Sequence, residues 1–234
     1  KQEEISLQWD NIEKELHNNS LWYFLINHAD VKFQTRIDLI LDLISGKPKG
    51  NKEKYYTFFY FDALSQNRKL SEIWNEIQHT FLILKDWYED HEFYHKIGYL
   101  IASNTKTLQD IFALSKRETE GNGITKKQFK SELNSFIKKS VAIPTNYSEL
   151  SYEKATDYAR ISKLLLLFNV ESVRQNGEHT QWFPFEKFKF QKTGNVSWSL
   201  EHIHAQQSEG MQKQEEWKEW LKLHIPSIVS LGDG

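Results

Sequence analysis

Apolar positions over the first 170 residues recur mostly at three- and four-residue steps, the spacing of one helix face. Ile5, Trp9, Ile12 and Leu16 form the first such stripe, and Ile37, Leu41 and Ile44 the second. Thr35 with Asp38 makes a box-like start to that second helix, and Gly46 followed by Pro48 ends it. The clearest stripe is Ile73, Ile77, Phe81, Leu84 and Tyr88, with Ser71 as its expected cap. Phe93, Ile97, Leu100 and Ile101 make another, and Thr107 with Asp110 opens a helix carrying Leu108, Ile111, Phe112 and Leu114. Gly121-Asn122-Gly123 reads as a turn, after which Thr125 with Gln128 opens a helix bearing Phe129, Leu133 and Phe136. Pro144 breaks the chain before a long helix with Leu164-Leu165-Leu166-Leu167-Phe168, a run expected to sit centrally because it is apolar on every face. The aromatic stretch 55–61 stays open between strand and helix.

Past Phe168 the pattern changes. Phe183, Phe185, Phe188 and Phe190 recur within 182–190, Thr193-Gly194-Asn195 marks a turn, and Val196, Trp198 and Leu200 alternate with polar residues. Two short strands of a hairpin are expected here, followed by a helix over 211–224 that Pro226 ends. The predicted fold class is therefore mainly α: a multi-helix domain over 1–170, then a short β-hairpin and a helix over 171–234.

Composition narrows the class. The 234 residues, 39% hydrophobic and 26% charged, suit a globular chain of one large domain or slightly more. No apolar run approaches the roughly 18 residues of a membrane-spanning helix, so no membrane partner is expected. The absence of cysteine excludes disulfides, thiolate metal sites and a cysteine nucleophile. A net charge of −2 does not argue for nucleic acid in bulk, although residues 116–139 hold seven Lys/Arg against three Glu. Such a stretch is ordinarily a solvated helix face. The chain opens Lys1-Gln2-Glu3-Glu4 and its only methionine is Met211, which reads as a piece of a longer protein.

Three constellations could carry chemistry. His91-Glu92-Phe93-Tyr94-His95 satisfies the H-E-x-x-H zinc-protease pattern, in which two histidines four apart on a helix bind zinc and the glutamate acts as base. Its setting, with Glu89-Asp90 leading into it and no third ligand announced, favours an ordinary helix start. The carboxylates in Trp87-Tyr88-Glu89-Asp90 and Arg36-Ile37-Asp38 suit caps and helix dipoles. The third is Trp198-Ser199-Leu200-Glu201-His202-Ile203-His204. A carboxylate beside a histidine suits phosphodiester hydrolysis, the carboxylate holding a hard divalent cation while neutral imidazole takes a proton from water.

Several phrases, in order, resemble the middle and C-terminal parts of GmrSD-type restriction endonucleases. They include Trp22-Tyr23-Phe24-Leu25, Thr35-Arg36-Ile37-Asp38-Leu39-Ile40, Tyr56-Thr57-Phe58, Trp87-Tyr88-Glu89-Asp90 and Tyr94-His95-Lys96-Ile97-Gly98-Tyr99-Leu100. Leu165-Leu166-Leu167-Phe168-Asn169, Phe183-Pro184-Phe185 and Trp198-Ser199-Leu200-Glu201-His202-Ile203 complete the series. The resemblance implies a nucleotide-using ParB- or sulfiredoxin-like domain, a helical region, and a C-terminal HNH (His-Me finger) nuclease. Such enzymes cut foreign, often modified, DNA in the bacterial cytoplasm as anti-phage defence. It implies that His202 is the catalytic general base and Glu201 a metal ligand, for Mg2+, with His204 supporting or touching phosphate. DNA is then the expected partner, with a homo-oligomer left open.

Two departures stand beside the resemblance. No Asp-Gly-Gln-Gln-Arg string of the nucleotide domain occurs, so any nucleotide cofactor belongs to a domain this chain lacks. No asparagine-bearing strand and helix of the finger's second half follows Glu201-His202. The expectation is a fragment, inactive alone, of a metal-dependent DNA endonuclease. The rival is a non-catalytic helical scaffold whose aromatic load serves docking.

Overall fold

The computed structural model describes residues 2–27, 33–48, 50–51, 53–119, 122–143, 146–176 and 180–190, with residues 215, 218 and 222 beyond them. Two compact units divide the chain, Lys1–Ser197 and Trp198–Gly234. Among the described residues of the first, ten α-helices follow in order: α1 Gln2–Leu16, α2 Asn19–Leu25, α3 Asp38–Ser45, α4 Tyr56–Ser65, α5 Leu70–Glu89, α6 His91–Ala102, α7 Leu108–Ser115, α8 Lys126–Val141, α9 Ala155–Gln175 and α10 Phe185–Phe190. A two-residue antiparallel ladder, Glu118–Thr119 against Asn122–Gly123, precedes α8. Of the second unit, Glu215, Lys218 and Lys222 are helical, on the spacing of one face of the helix expected there.

Local chemistry sets the helix starts. Thr107 with Asp110, and Thr125 with Gln128, form complete capping boxes at α7 and α8, each satisfying two main-chain donors that would otherwise be orphaned. Asp90 caps α6 by accepting from the Glu92 and Phe93 amides, and so separates α5 from α6 by a single residue. At α3 the Thr35 amide donates to the Asp38 carboxylate, and Gly46 ends the helix in the left-handed conformation at φ 64°. Ser71 is not a cap. The α5 helix begins at Leu70, so Ser71 lies inside its first turn.

The core is built around α6. Every residue from 93 to 101 is buried, and α2, α5, α8, α9 and α10 all pack on this helix. This central place was expected for the leucine run of α9. There Ile161, Leu166 and Val170 are buried, but Phe168 is 67% exposed, because α9 packs on α6 and α8 with one side only.

The first strand of the expected hairpin does not form. Residues 185–190 are helix, and Phe185 with Phe188 stand three apart on it. High aromatic content favours strand only where a sheet offers a neighbour; here the neighbours are α2 and α6. The partner strand over 196–200 lies outside the described residues. The α9 helix runs through the expected boundary at 170 to Gln175, and 181–190 belong to the first unit.

Candidate functional site

A cluster of polar and aromatic side chains lies where residues 181–190 cross α6 and α2. Three sequence-distant phrases meet there. Phe24 of α2 stacks on Tyr94 of α6, ring centroids 5.1 Å apart, and Tyr88 closes on both rings. The Tyr94 hydroxyl donates to the Phe183 carbonyl at 2.7 Å, and burial pushes the phenol well above its ordinary pKa. Phe185 is fully buried against Gly98. A Cβ placed on Gly98 would stand 2.5 Å from Cζ and 2.7 Å from Cδ2 of the Phe185 ring. Only glycine leaves the notch that this ring fills.

His95 lies at the centre of the cluster. The Phe183 amide donates to its Nε2 at 3.1 Å, which makes that nitrogen the acceptor and leaves the proton on Nδ1. Nδ1–H in turn donates to the His91 carbonyl at 2.7 Å. Burial favours this neutral form and pushes the imidazole down to about 4. The adjacent His91 donates from Nε2 to the Gln181 carbonyl at 2.7 Å, and its ring meets Trp182 edge-on. Glu92 pairs with Lys96 at 2.5 Å and with Lys130. Burial would raise its carboxyl, but the two ammonium groups outweigh that and hold it below the usual range.

The H-E-x-x-H pattern is thus spent on structure. Both nitrogens of His95 serve main-chain partners, and the Glu92 carboxylate is held between two lysines. Among the described residues no group of three His, Cys, Asp or Glu side chains could hold a metal. The carboxylates noted beside it are structural too: Asp90 caps α6 and pairs with Lys126, and Asp38 takes the Thr35 amide.

Lys189 anchors the far end of the crossing segment. Its Nζ donates to the carbonyls of Tyr23 at 2.9 Å, Phe24 at 3.2 Å and Ile26 at 3.0 Å, closing the C-terminus of α2. Desolvation pushes this ammonium down to about 7, while three carbonyls and the negative helix end act the other way. Neither Gly98 nor Lys189 stood out in the sequence as a site residue. The available signals were a glycine inside an apolar helix phrase and a lysine inside an aromatic run.

The basic stretch is largely neutralised. Lys116 pairs with Glu76, Arg117 with Glu132, Lys126 with Asp90 and Lys130 with Glu92. Lys127, Lys138 and Lys139 are exposed without an ion pair among the described residues. A cavity of about 450 Å³ lies between the ends of α2 and α3 and the start of α7, where Asn27 donates to Asn104 at 2.6 Å. Asn104 takes a left-handed conformation, φ 53°, which asparagine tolerates well.

Glu201 and His202, the expected metal ligand and base, lie outside the described residues, as does His204. No helix among the described residues is long and apolar enough to cross a membrane. Compared with protein-family models, curated proteins and solved structures, the chain matches none.

Proposed function

We propose that this chain belongs to a DNA-cleaving enzyme of the GmrSD type, as the helical region and the leading half of its His-Me finger. One observation supports the reading best. Phrases that carry the resemblance, far apart in sequence, converge on one packed cluster: Phe24 on Tyr94, Phe183 on Tyr94 and His95, and Phe185 in the Gly98 notch. Arg36, from another phrase, lies over the Trp22 ring at 4.9 Å and donates to the Leu16 carbonyl. A shared order of phrases has a physical basis when the phrases pack together.

In this reading the cluster secures residues 181–190 to the helical unit, and the chain then continues toward the expected finger. Glu201 is the proposed ligand for a divalent cation, Mg2+, which would polarise a scissile phosphate. His202 is the proposed base that takes a proton from water. The nucleotide site belongs to a separate N-terminal domain, and the 234-residue chain alone cuts slowly or not at all.

The second reading, a helical scaffold without catalysis, is favoured by one specific feature. The α4 helix has no buried residue and turns several aromatic rings to solvent. The reading frame that encodes the chain separates the two. An Asp-Gly-Gln-Gln-Arg-like motif upstream and an asparagine-bearing strand and helix downstream are expected for the nuclease. A frame carrying neither supports the scaffold.

A further inference from the structure

The cavity between α2, α3 and α7 has a lining that divides by chemistry. One part is apolar: Leu25, Ile26, Leu39, Leu43, Ile101 and Leu108 are all buried, and Phe33, edge-on to Trp22 at 5.6 Å, adds a ring. At about 450 Å³ the cavity lies within the roughly 300–1,000 Å³ of small-molecule sites, which likewise join an apolar wall to a few polar groups.

The charged groups on this lining are already engaged. Lys47 pairs with Asp42 at 3.4 Å, and Asp42 also takes the Thr57 hydroxyl. The Asp110 carboxylate accepts the Thr107 amide in the α7 capping box, and Lys106 lies over the Phe136 ring at 4.3 Å. Two lysines against two aspartates leave the lining neutral. Three carboxamides remain. Asn27 gives an amide proton to Asn104 Oδ1, and Gln109 gives one to the Leu43 carbonyl at 3.3 Å. Asn27 Oδ1, Gln109 Oε1 and Asn104 Nδ2 have no hydrogen-bond partner among the described residues, so the lining keeps two acceptors and a donor.

An ionic ligand would find no unpaired counter-charge here, and a sugar would set its hydroxyls against apolar side chains. A neutral, flat nitrogen heterocycle with an amino donor beside a ring-nitrogen acceptor fits both parts. Its body covers the apolar wall and its edge meets the carboxamides. Asparagine and glutamine read adenine through this same pairing of donor and acceptor. We propose that the cavity is a binding site for a neutral, amino-substituted heterocycle of the nucleobase class, adenine or cytosine, held by Asn27, Asn104 and Gln109. Such a site is independent of the nuclease reading, since it needs neither Glu201 nor His202.

The test is isothermal titration calorimetry of the 234-residue chain with deoxyadenosine and deoxycytidine, beside thymidine, purine deoxyriboside (which lacks the amino group) and glucose. Saturable binding of deoxyadenosine or deoxycytidine is expected, with Kd on the order of 0.1 mM for ligands of this size. Purine deoxyriboside should bind about fivefold more weakly than deoxyadenosine, the worth of one hydrogen bond. Asn104→Gly, which suits the left-handed backbone at φ 53°, and Gln109→Leu should each weaken binding by about fivefold, with circular dichroism like wild type. No saturable binding of either nucleoside overturns the proposal, as does wild-type affinity in both variants. Thymidine or glucose binding equally well also overturns it. So does deoxyadenosine monophosphate binding more than about tenfold tighter than the nucleoside, since phosphate would then be the anchor. A duplex with one unpaired adenine that displaces deoxyadenosine supports the site with a base in a strand as its ligand; a duplex that fails to displace it supports the site with a free nucleoside.

Discussion

Replacing Gly98 by alanine tests the aromatic cluster at its tightest point. In an open helix interior the change would stabilise by about 1 kcal/mol, because alanine loses less backbone entropy. Here the added methyl would stand 2.5 Å from Cζ of Phe185, in a ring that is fully buried. Two responses are available. If residues 181–190 stay docked, forcing the ring aside costs about 1–3 kcal/mol. If they leave, about 2–3 kcal/mol of Phe185 burial is lost. The bonds from the Phe183 amide to His95 and from Tyr94 to the Phe183 carbonyl are then lost too, at about 1 kcal/mol each. Set against the helix gain, the expected net destabilisation is about 0–2 kcal/mol if the segment stays docked and about 3–4 kcal/mol if it leaves. Urea unfolding followed by tryptophan fluorescence reads it, and Trp182 reports locally because it meets the Tyr94 ring at 4.8 Å. Phe185→Ala should cost about 3–5 kcal/mol by itself. In that background Gly98→Ala should turn neutral or stabilising, a reversal of sign that follows from the notch. Stabilisation by Gly98→Ala in the wild-type background would refute the reasoning.

Three more expectations follow from the same cluster. His95 is neutral when folded, its pKa lowered to about 4 from 6.5, so the unfolded chain binds its proton first as pH falls. Stability from this group is complete above about pH 6.5 and is lost progressively down to about pH 4, roughly 3 kcal/mol in all; His95→Gln should flatten that part of a pH–stability profile, and an unchanged profile would count against the assignment. Lys189→Met leaves the carbonyls of Tyr23, Phe24 and Ile26 without their donor, and should lower stability by about 2 kcal/mol in chemical denaturation while speeding proteolysis within 181–190. Zinc should leave the melting temperature unchanged in wild-type chain and in His91→Ala alike; stoichiometric zinc in calorimetry, lost on His91→Ala, would contradict the bonding found for His95.

The helices that sequence reveals most clearly are those whose caps and stripes agree. Thr107 with Asp110 and Thr125 with Gln128 both form the boxes their spacing suggests, and Ile73, Ile77, Phe81 and Leu84 are buried on one side of α5. The aromatic segments were harder to read, since ring content favours strand while their seats are made by distant residues. At 183–190 the decisive partner is Gly98, some 85 positions away, together with the α2 carbonyls that receive Lys189. At 55–61 a helix forms because Thr57, Phe61 and Leu64 find α3 and the core, leaving the other rings outside. The α9 leucine run shows the converse, for apolar character all round did not win the centre of the fold. Of the expected catalytic pair, Glu201 and His202, sequence supplies the chemistry and a resemblance supplies the roles, while both residues lie outside the described part. The H-E-x-x-H string satisfies a motif in letters only, because its histidines were already engaged by the main chain.

The most direct measurement of the central claim is DNA cleavage by the protein expressed from its full reading frame, with Mg2+ or with EDTA, beside His202→Ala and Glu201→Gln variants. Metal-dependent cuts are expected, abolished by His202→Ala and weakened together with the apparent metal affinity by Glu201→Gln, while both variants melt like wild type. Cleavage that persists in both variants, or none from the full-length protein on modified and unmodified DNA, would contradict the nuclease reading and leave the helical scaffold in its place.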